Sequence, residues 1–281
     1  YVDVMREETV ETAEPDCDPV DCGANYDGKH TTALLGVGAG LVSAAAGTPV
    51  VTHSGDRVPT QEATAYKHVL DELGVRTELS PAESAGMTDA VGFGFYYSPR
   101  FNSGIDALTD RRAEMGVRTF VNTVETLANP ANADVHLGSF YHLAFAKRIV
   151  DTVGEMRTQA IPRVIMFQGL EGYDDIRPGT TVVAEHDGEF EDYEIETGAY
   201  GMDFDREQLA VEDVTADSAA ITREVLEGER EGPFADAVAL NAAVRIYAGG
   251  GVASLDAGLE RAREAIADGS AADRLDALQA F

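Results

Sequence analysis

Between Asp21 and Arg57 the chain reads DCGANYDGKHTTALLGVGAGLVSAAAGTPVVTHSGDR. A loop of small residues opens there onto a helix of Ala, Gly, Val and Leu, which stops at Gly47 and Pro49 and runs into a short strand ending in a His/Arg loop. Ala33 to Val51 carries no charge over 19 residues. The run is Gly- and Ala-rich, contains Ser43 and Thr48 and is interrupted by Gly47 and Pro49, so it reads as a buried helix followed by a buried strand rather than as a membrane span. Loops that open onto a helix N-terminus in α/β proteins are where phosphate is held, because backbone N–H groups and the helix dipole both favour negative charge there. Asn25 and Tyr26 stand where a phosphate cradle would use glycine.

The rest of the chain alternates strand and helix patterns. The spacing predicts a helix over Thr32–Ala46, a strand over Val50–His53, a helix over Gln61–Leu73, and a strand over Val91–Tyr97. A helix over Ile105–Met115, an apolar segment over Phe120–Leu127, a strand over Val135–Ser139 and a helix over Leu143–Val153 follow. RVIMFQ at Arg163–Gln168 is a continuous apolar run, as expected of a strand covered on both faces. Strands are expected at Thr181–Glu185 and Glu191–Ile195, and helices at Ala219–Glu227, Phe234–Tyr247, Leu255–Asp268 and Ala271–Phe281. The fold class implied is α/β, a mostly parallel central sheet flanked by helices. Ligands of such sheets bind outside the carboxyl ends of the strands, so the loops after Val51, Tyr97 and Phe167 are expected to converge. Residues 1–13 read as the end of a helix, a remnant of an N-terminal helical domain ahead of an α/β domain at 14–281.

Net charge is −29, from 50 acidic and 21 basic residues, of which only Lys29, Lys67 and Lys147 are lysines. Acidic residues spread evenly with so few lysines point to adaptation to high salt, where repulsion is screened within a few ångströms. Such a surface repels nucleic acid and anionic membranes. The cysteines, Cys17 and Cys22, lack the further ligands zinc needs and read as free thiols of a reducing, cytoplasmic compartment, with a disulfide between them as the alternative.

Four groups of residues could carry chemistry. Gly23–Thr31 would cradle phosphate, with Asp27 orienting a sugar hydroxyl or a metal-bound water; a plain strand-to-helix turn is the alternative. His53 and Arg57 follow a strand and suit anionic oxygens, or form a solvated loop with Asp56 paired to Arg57. Asp174 and Asp175 follow the RVIMF strand, where adjacent carboxylates hold Mg²⁺ beside a phosphate, although Asp-Asp pairs are frequent in so acidic a chain. Arg111, Arg112 and Arg118 could clamp a carboxylate, or serve as surface partners of Asp110 and Glu114.

In order along the chain, these segments resemble the anthranilate phosphoribosyltransferase family over nearly the whole length from Asp21. That family's GTGGDG loop stands here as Gly23-Ala24-Asn25-Tyr26-Asp27-Gly28 with Thr31 beyond, and its AAAGVPVVKHGNR as AAAGTPVVTHSGDR. Its arginine motif stands at Arg112–Gly116, Arg118-Thr119, Asn122 and Asn129-Pro130. Its HGxDGLDE stands as QGLEGYDD, and its LNAA at Leu240–Ala243. The resemblance implies the nucleoside phosphorylase/phosphoribosyltransferase type of catalytic domain and Mg²⁺-dependent transfer of phosphoribosyl from phosphoribosyl pyrophosphate to an aromatic amine or another acceptor. It implies that Gly23, Asn25, Asp27, Gly28 and Thr31 line the donor site with His53 and Arg57 alongside. Arg112 would meet the acceptor carboxylate, Asp174 and Asp175 would hold the metal, and the full-length protein would be a homodimer. The departures fall on phosphate contacts: Asn25 and Tyr26 in the loop, Ala33-Leu34-Leu35-Gly36 for Asn-x-Ser-Thr, Thr52 for lysine, Asp175 for glutamate and Glu125-Thr126 for Gly-Pro. They resemble a paralogous branch with YDG, GDR-x-PT and GLEG motifs, and leave as alternatives a non-catalytic paralogue that binds nucleic acid or another ligand, and a nucleoside-phosphorylase-like activity.

Overall fold

A computed structural model describes residues 1–23, 28–56 and 63–281. In chain order the first elements are α1 (Val2–Thr9), β1 (Val20–Gly23), α2 (Gly36–Ala45), β2 (Val50–Ser54), α3 (Tyr66–Glu72), α4 (Pro81–Val91) and β3 (Phe93–Tyr97). Short helices α5 (Ser98–Phe101), α6 (Ser103–Asp106), α7 (Thr109–Met115) and α8 (Val121–Val124) lead to β4 (Val135–Phe140), α9 (Leu143–Gly154) and β5 (Arg163–Gln168). β6 (Thr180–Asp187) and β7 (Glu189–Glu196) precede four helices, α10 (Val214–Leu226), α11 (Pro233–Ala248), α12 (Leu255–Ala267) and α13 (Ser270–Ala280). Among the described residues no helix is long and apolar enough to cross a membrane.

The strands form one sheet in the order β3-β2-β1-β4-β5-β6-β7. β1 to β5 are parallel, and β6 and β7 continue the sheet as an antiparallel hairpin turning at Gly188. The mostly parallel sheet expected from the sequence is therefore present, with the two late strands as its antiparallel edge. β7 is largely exposed and carries five acidic side chains, including Glu191 and Glu194, which discourages pairing with another edge. The chain runs outward from β1 to β2 and β3, then returns to place β4 on β1's other side. The switch point thus lies between β1 and β4, where an α/β sheet opens a crevice at its carboxyl edge.

Register assigns the two faces. Val20, Cys22, Val50, Phe93, Phe95, Leu137, Ile165 and Phe167 point into the main core, which α2 and the C-terminal helices complete. The other face has two smaller apolar clusters, one around Val51, Tyr96 and Phe101, the other around Phe140, Val164 and Met166. Between those clusters, Asp21 on β1 pairs in register with His136 on β4, and His53 stands on the same face of β2.

α2 starts at Gly36, four residues later than expected, because Thr31 to Ala33 are held in a loop by Glu171 and Lys29. Gly36 to Ala44 are all buried, which explains the absence of a polar stripe. Its glycines admit large neighbours: a Cβ at Gly40 would lie 2.7 Å from Phe93 Cε2. Other expectations shift too, α10 starting at Val214 rather than Ala219. Val91 ends α4 rather than starting a strand, and Gly92 at φ 79° separates the two. The helix expected over Ile105–Met115 is two short helices. The helix over Gln61–Leu73 begins at Tyr66, its first two residues lying outside the described ones.

Two helical glycines predict opposite outcomes. Gly40→Val forces Phe93 aside and should cost about 1–3 kcal/mol. Gly86 in α4 has only Phe281 Cζ near, at 3.7 Å, so Gly86→Ala should stabilise by up to about 1 kcal/mol. Urea unfolding of the two variants measures both, and equal signs would contradict this packing.

Candidate active site

The β5-to-β6 connection puts two adjacent carboxylates beneath the start of α2. Asp174 and Asp175 are fully buried. Asp174 Oδ2 accepts from Arg245 Nη2 at 2.8 Å and from the Tyr66 hydroxyl. Asp175 Oδ2 lies 2.5 Å from Lys29 Nζ and accepts from the Leu35 amide at 3.3 Å. The other oxygen of each, Asp174 Oδ1 and Asp175 Oδ1, has no hydrogen-bond partner among the described residues. Burial pushes the Asp174 carboxyl up, against the pull of the Arg245 guanidinium. Asn241 fixes this connection from α11 by accepting the Ile176 amide at 2.8 Å, which gives the LNAA segment a physical role.

Residues 30–32, ahead of α2, are held by a carboxylate from the same connection. Glu171 accepts from the amides of His30 (3.0 Å) and Thr32 (2.9 Å) and the hydroxyls of Thr31 (3.0 Å) and Thr32 (2.6 Å). It does so from a left-handed backbone, φ 57°. Burial alone would raise its carboxyl, but those donors and the nearby Lys29 charge hold it down at about 2. Thr31 also accepts from Arg206 at 3.1 Å. Gly28, at φ 77°, occupies the left-handed region that favours glycine. Gly23 is required for another reason: a Cβ there would run into the Thr126 carbonyl and the His136 ring.

Across the switch point, the Asp21 carboxylate lies 2.8 Å from His136 Nδ1 and 3.1 Å from His53 Nε2, and all three side chains are buried. Burial raises the Asp21 carboxyl, but the two imidazoles outweigh it and hold the group well below the usual carboxylate range. His136 forms part of the wall of a cavity of about 240 Å³ at the carboxyl ends of β1 and β4. Gly23, Arg118, Asn122, Ser139 and His142 supply the polar wall, and Leu127, Phe140, Phe145, Ile149 and Met166 the apolar one.

The residues expected from the sequence therefore fall in two places. Thr31, Asp174 and Asp175 gather at the α2 end, linked by Glu171 and Lys29, while Gly23 and His53 stand by the Asp21 cluster. Asn25, Asp27 and Arg57 lie outside the described residues. Arg112 does not line the cavity; both of its terminal nitrogens meet the Glu125 carboxylate, at 2.7 and 2.8 Å, in a buried bidentate pair. Arg118 is the arginine that does line it. Arg111 makes the expected surface contact, with Glu114 at 2.8 Å. Sequence reasoning passed over Asp21, Lys29, Glu125, His136, Glu171 and Arg245. A polar residue inside an apolar strand or helix, as in VDCG, VHLG and AAVRIYA, was the available signal.

The Glu171 contacts carry a pH signature. Its folded value is depressed from an ordinary 4.5 to about 2, so its stabilisation is complete above 4.5 and lost as pH falls through about 2. The stability difference between wild type and Glu171→Gln should therefore shrink from pH 6 to pH 3 in urea titrations. A constant difference would contradict the assignment.

Residues 21–272 match the glycosyl transferase family, a/b domain. The chain is 33% identical over 272 residues to the anthranilate phosphoribosyltransferase of Natronomonas pharaonis, spanning 95% of this chain and 80% of that protein. It is 34% identical over 263 residues to that of Thiobacillus denitrificans, spanning 92% and 74%. The crystal structure of anthranilate phosphoribosyltransferase from Thermus thermophilus superposes with a TM-score of 0.84 at 30% identity, over 100% of this chain and 82% of that one. The Saccharomyces cerevisiae enzyme, solved with phosphoribosyl pyrophosphate and Mg, shares the fold at 18% identity with a TM-score of 0.83, over 100% and 78%. By sequence and by fold, the chain belongs to the anthranilate phosphoribosyltransferase family.

Proposed function

We propose that this protein transfers a phosphoribosyl group from phosphoribosyl pyrophosphate to the nitrogen of an aromatic amine. The observation that carries this reading is the position of the cavity. It lies at the switch point, its wall includes Gly23, the residue that leads into the Gly23–Thr31 loop, and one side of it is apolar, lined by Leu127, Phe140, Phe145, Ile149 and Met166. The family relationship supports a phosphorylated ribosyl donor in that loop. Donor and acceptor would then meet across Gly23.

The reaction breaks the bond between the anomeric carbon and pyrophosphate and forms one from that carbon to nitrogen. Positive charge builds on the sugar while negative charge builds on the leaving oxygens. In this chain Asp174 and Asp175 fit a Mg²⁺ site, since each keeps one buried oxygen without a hydrogen bond among the described residues. Bound there, the ion would stabilise the departing pyrophosphate as a Lewis acid. Lys29 and Arg245 already balance the two carboxylates. A divalent cation alone would leave the cluster with excess positive charge, so its binding requires the anionic donor. Arg118 and His142, on the cavity wall, would orient the acceptor.

A second reading, a paralogue that binds its ligand without transfer, is favoured by the Arg112–Glu125 pair, which occupies the arginine expected to meet an acceptor carboxylate. Nucleic acid as that ligand is opposed by the net charge of −29.

Titration calorimetry separates these outcomes. Phosphoribosyl pyrophosphate with Mg²⁺ should bind the full chain, and Mg²⁺ alone should give little heat. Absence of donor binding, in low salt and in molar salt alike, would contradict the transferase reading.

A further inference from the structure

The Asp21 cluster is a group of buried titratable side chains that the chemistry above leaves without a task. Its construction is specific. Asp21 and His136 are register partners on adjacent parallel strands, so the backbone sets their separation. An ionised carboxylate only accepts hydrogen bonds, so the 2.8 Å contact puts the imidazole proton on Nδ1. In the neutral ring Nε2 is then the lone-pair acceptor. Among the described residues Asp21 is the only hydrogen-bond partner of this ring. Its Nε2 edge lies over Gly138, where a Cβ would be 3.1 Å away, and the ring forms part of the cavity wall. Glycines at 23 and 138 make room for it from two strands. A histidine that only filled space in an apolar face would need neither a buried carboxylate nor two flanking glycines.

We propose that His136, held by Asp21, is the base that accepts the proton of the attacking nitrogen in this cavity, a role that rests on the transferase reading above. The nitrogen lone pair forms the bond to the anomeric carbon, and the carbon–oxygen pair leaves with pyrophosphate. The electrons of the N–H bond stay on nitrogen while its proton passes to His136 Nε2, so the step balances without a further reactant. Asp21 stabilises the resulting imidazolium and acts as a positioning residue. The charged and titratable groups around this ring come from every element packed on it: Asp21 from β1, His53 from β2, His142 at the head of α9, Arg118 and Glu125 from the segment before β4, and Arg6 from α1, whose guanidinium feels the Asp21 charge.

The test uses the full chain with phosphoribosyl pyrophosphate, Mg²⁺ and two acceptor probes, aniline and anthranilate. His136→Gln should lower kcat by about 100-fold or more while leaving the dissociation constant of the donor unchanged by calorimetry. In wild type, kcat/KM should fall as pH drops, with a midpoint matching the titration of the His136 Cε1–H resonance by NMR. Asp21→Asn should lower kcat and move that midpoint together with the resonance. Turnover of His136→Gln near the wild-type rate, or an acid limb that does not track the resonance, overturns the role of His136 and leaves the transferase reading standing. Should the His136→Gln variant fail to fold, the wild-type comparison of midpoint and resonance decides alone. A wild-type protein that binds the donor but transfers to neither probe removes both.

Discussion

Two neighbouring carboxylates buried from solvent set the terms for this structure. Burying Asp174 and Asp175 together is costly unless each is given a cation and hydrogen bonds, and the partners come from four separate parts of the chain. Arg245 arrives from α11, Tyr66 from α3, Lys29 from the loop before α2 and the Leu35 amide from the start of α2 itself. The cluster thereby fixes how the C-terminal helices, the start of α2 and the β5-to-β6 connection sit on the sheet. Glu171, three residues before Asp174, then seals the loop that leads to α2. The cluster is balanced by its own lysine and arginine.

A second polar group, on the opposite face of the same sheet, stands under the switch point. Asp21, His53 and His136 interrupt what would otherwise be a continuous apolar layer. A fold gains no stability from three buried titratable side chains that hydrophobic residues could replace. They stand beside a cavity, and backbone glycines make space for one of the rings. The Arg112–Glu125 pair acts at the same end of the molecule. The end-on fork of Arg112 is already taken by a carboxylate of its own chain, with both terminal nitrogens on Glu125.

Much of this was legible in the sequence where local pattern decides structure. RVIMFQ was recognisable as a covered strand because the four residues from Val164 to Phe167 are all apolar, and β5 spans Arg163–Gln168 as read. The small-residue α2 was visible for the same reason, although its start was not: the hydrogen bonds of Thr32 to Glu171 delay the helix, and their partner is 139 residues away. α4 was missed despite a capping box of Ser80 and Glu83 with Pro81 between them, since its small residues give it little amphipathic pattern. The site divides in the same way. Adjacent aspartates after a strand can be read from spacing, whereas the arginine that neutralises Asp174 is 71 residues further on and looks like any helical arginine. Asp21 and His136 each show as a polar residue inside an apolar strand, but their pairing is a property of strand order, which depends on the whole sheet.

The central claim is that the buried charge cluster holds the α2 loop, α3 and α11 in place as one unit. A double-mutant cycle on Asp174→Asn and Arg245→Met, followed by urea unfolding with a chelator present, tests it most directly. Each single change should cost about 3–5 kcal/mol by leaving the other charge buried and unpaired. The double variant should cost less than the sum by at least about 1 kcal/mol. Strict additivity of the two changes would contradict the account.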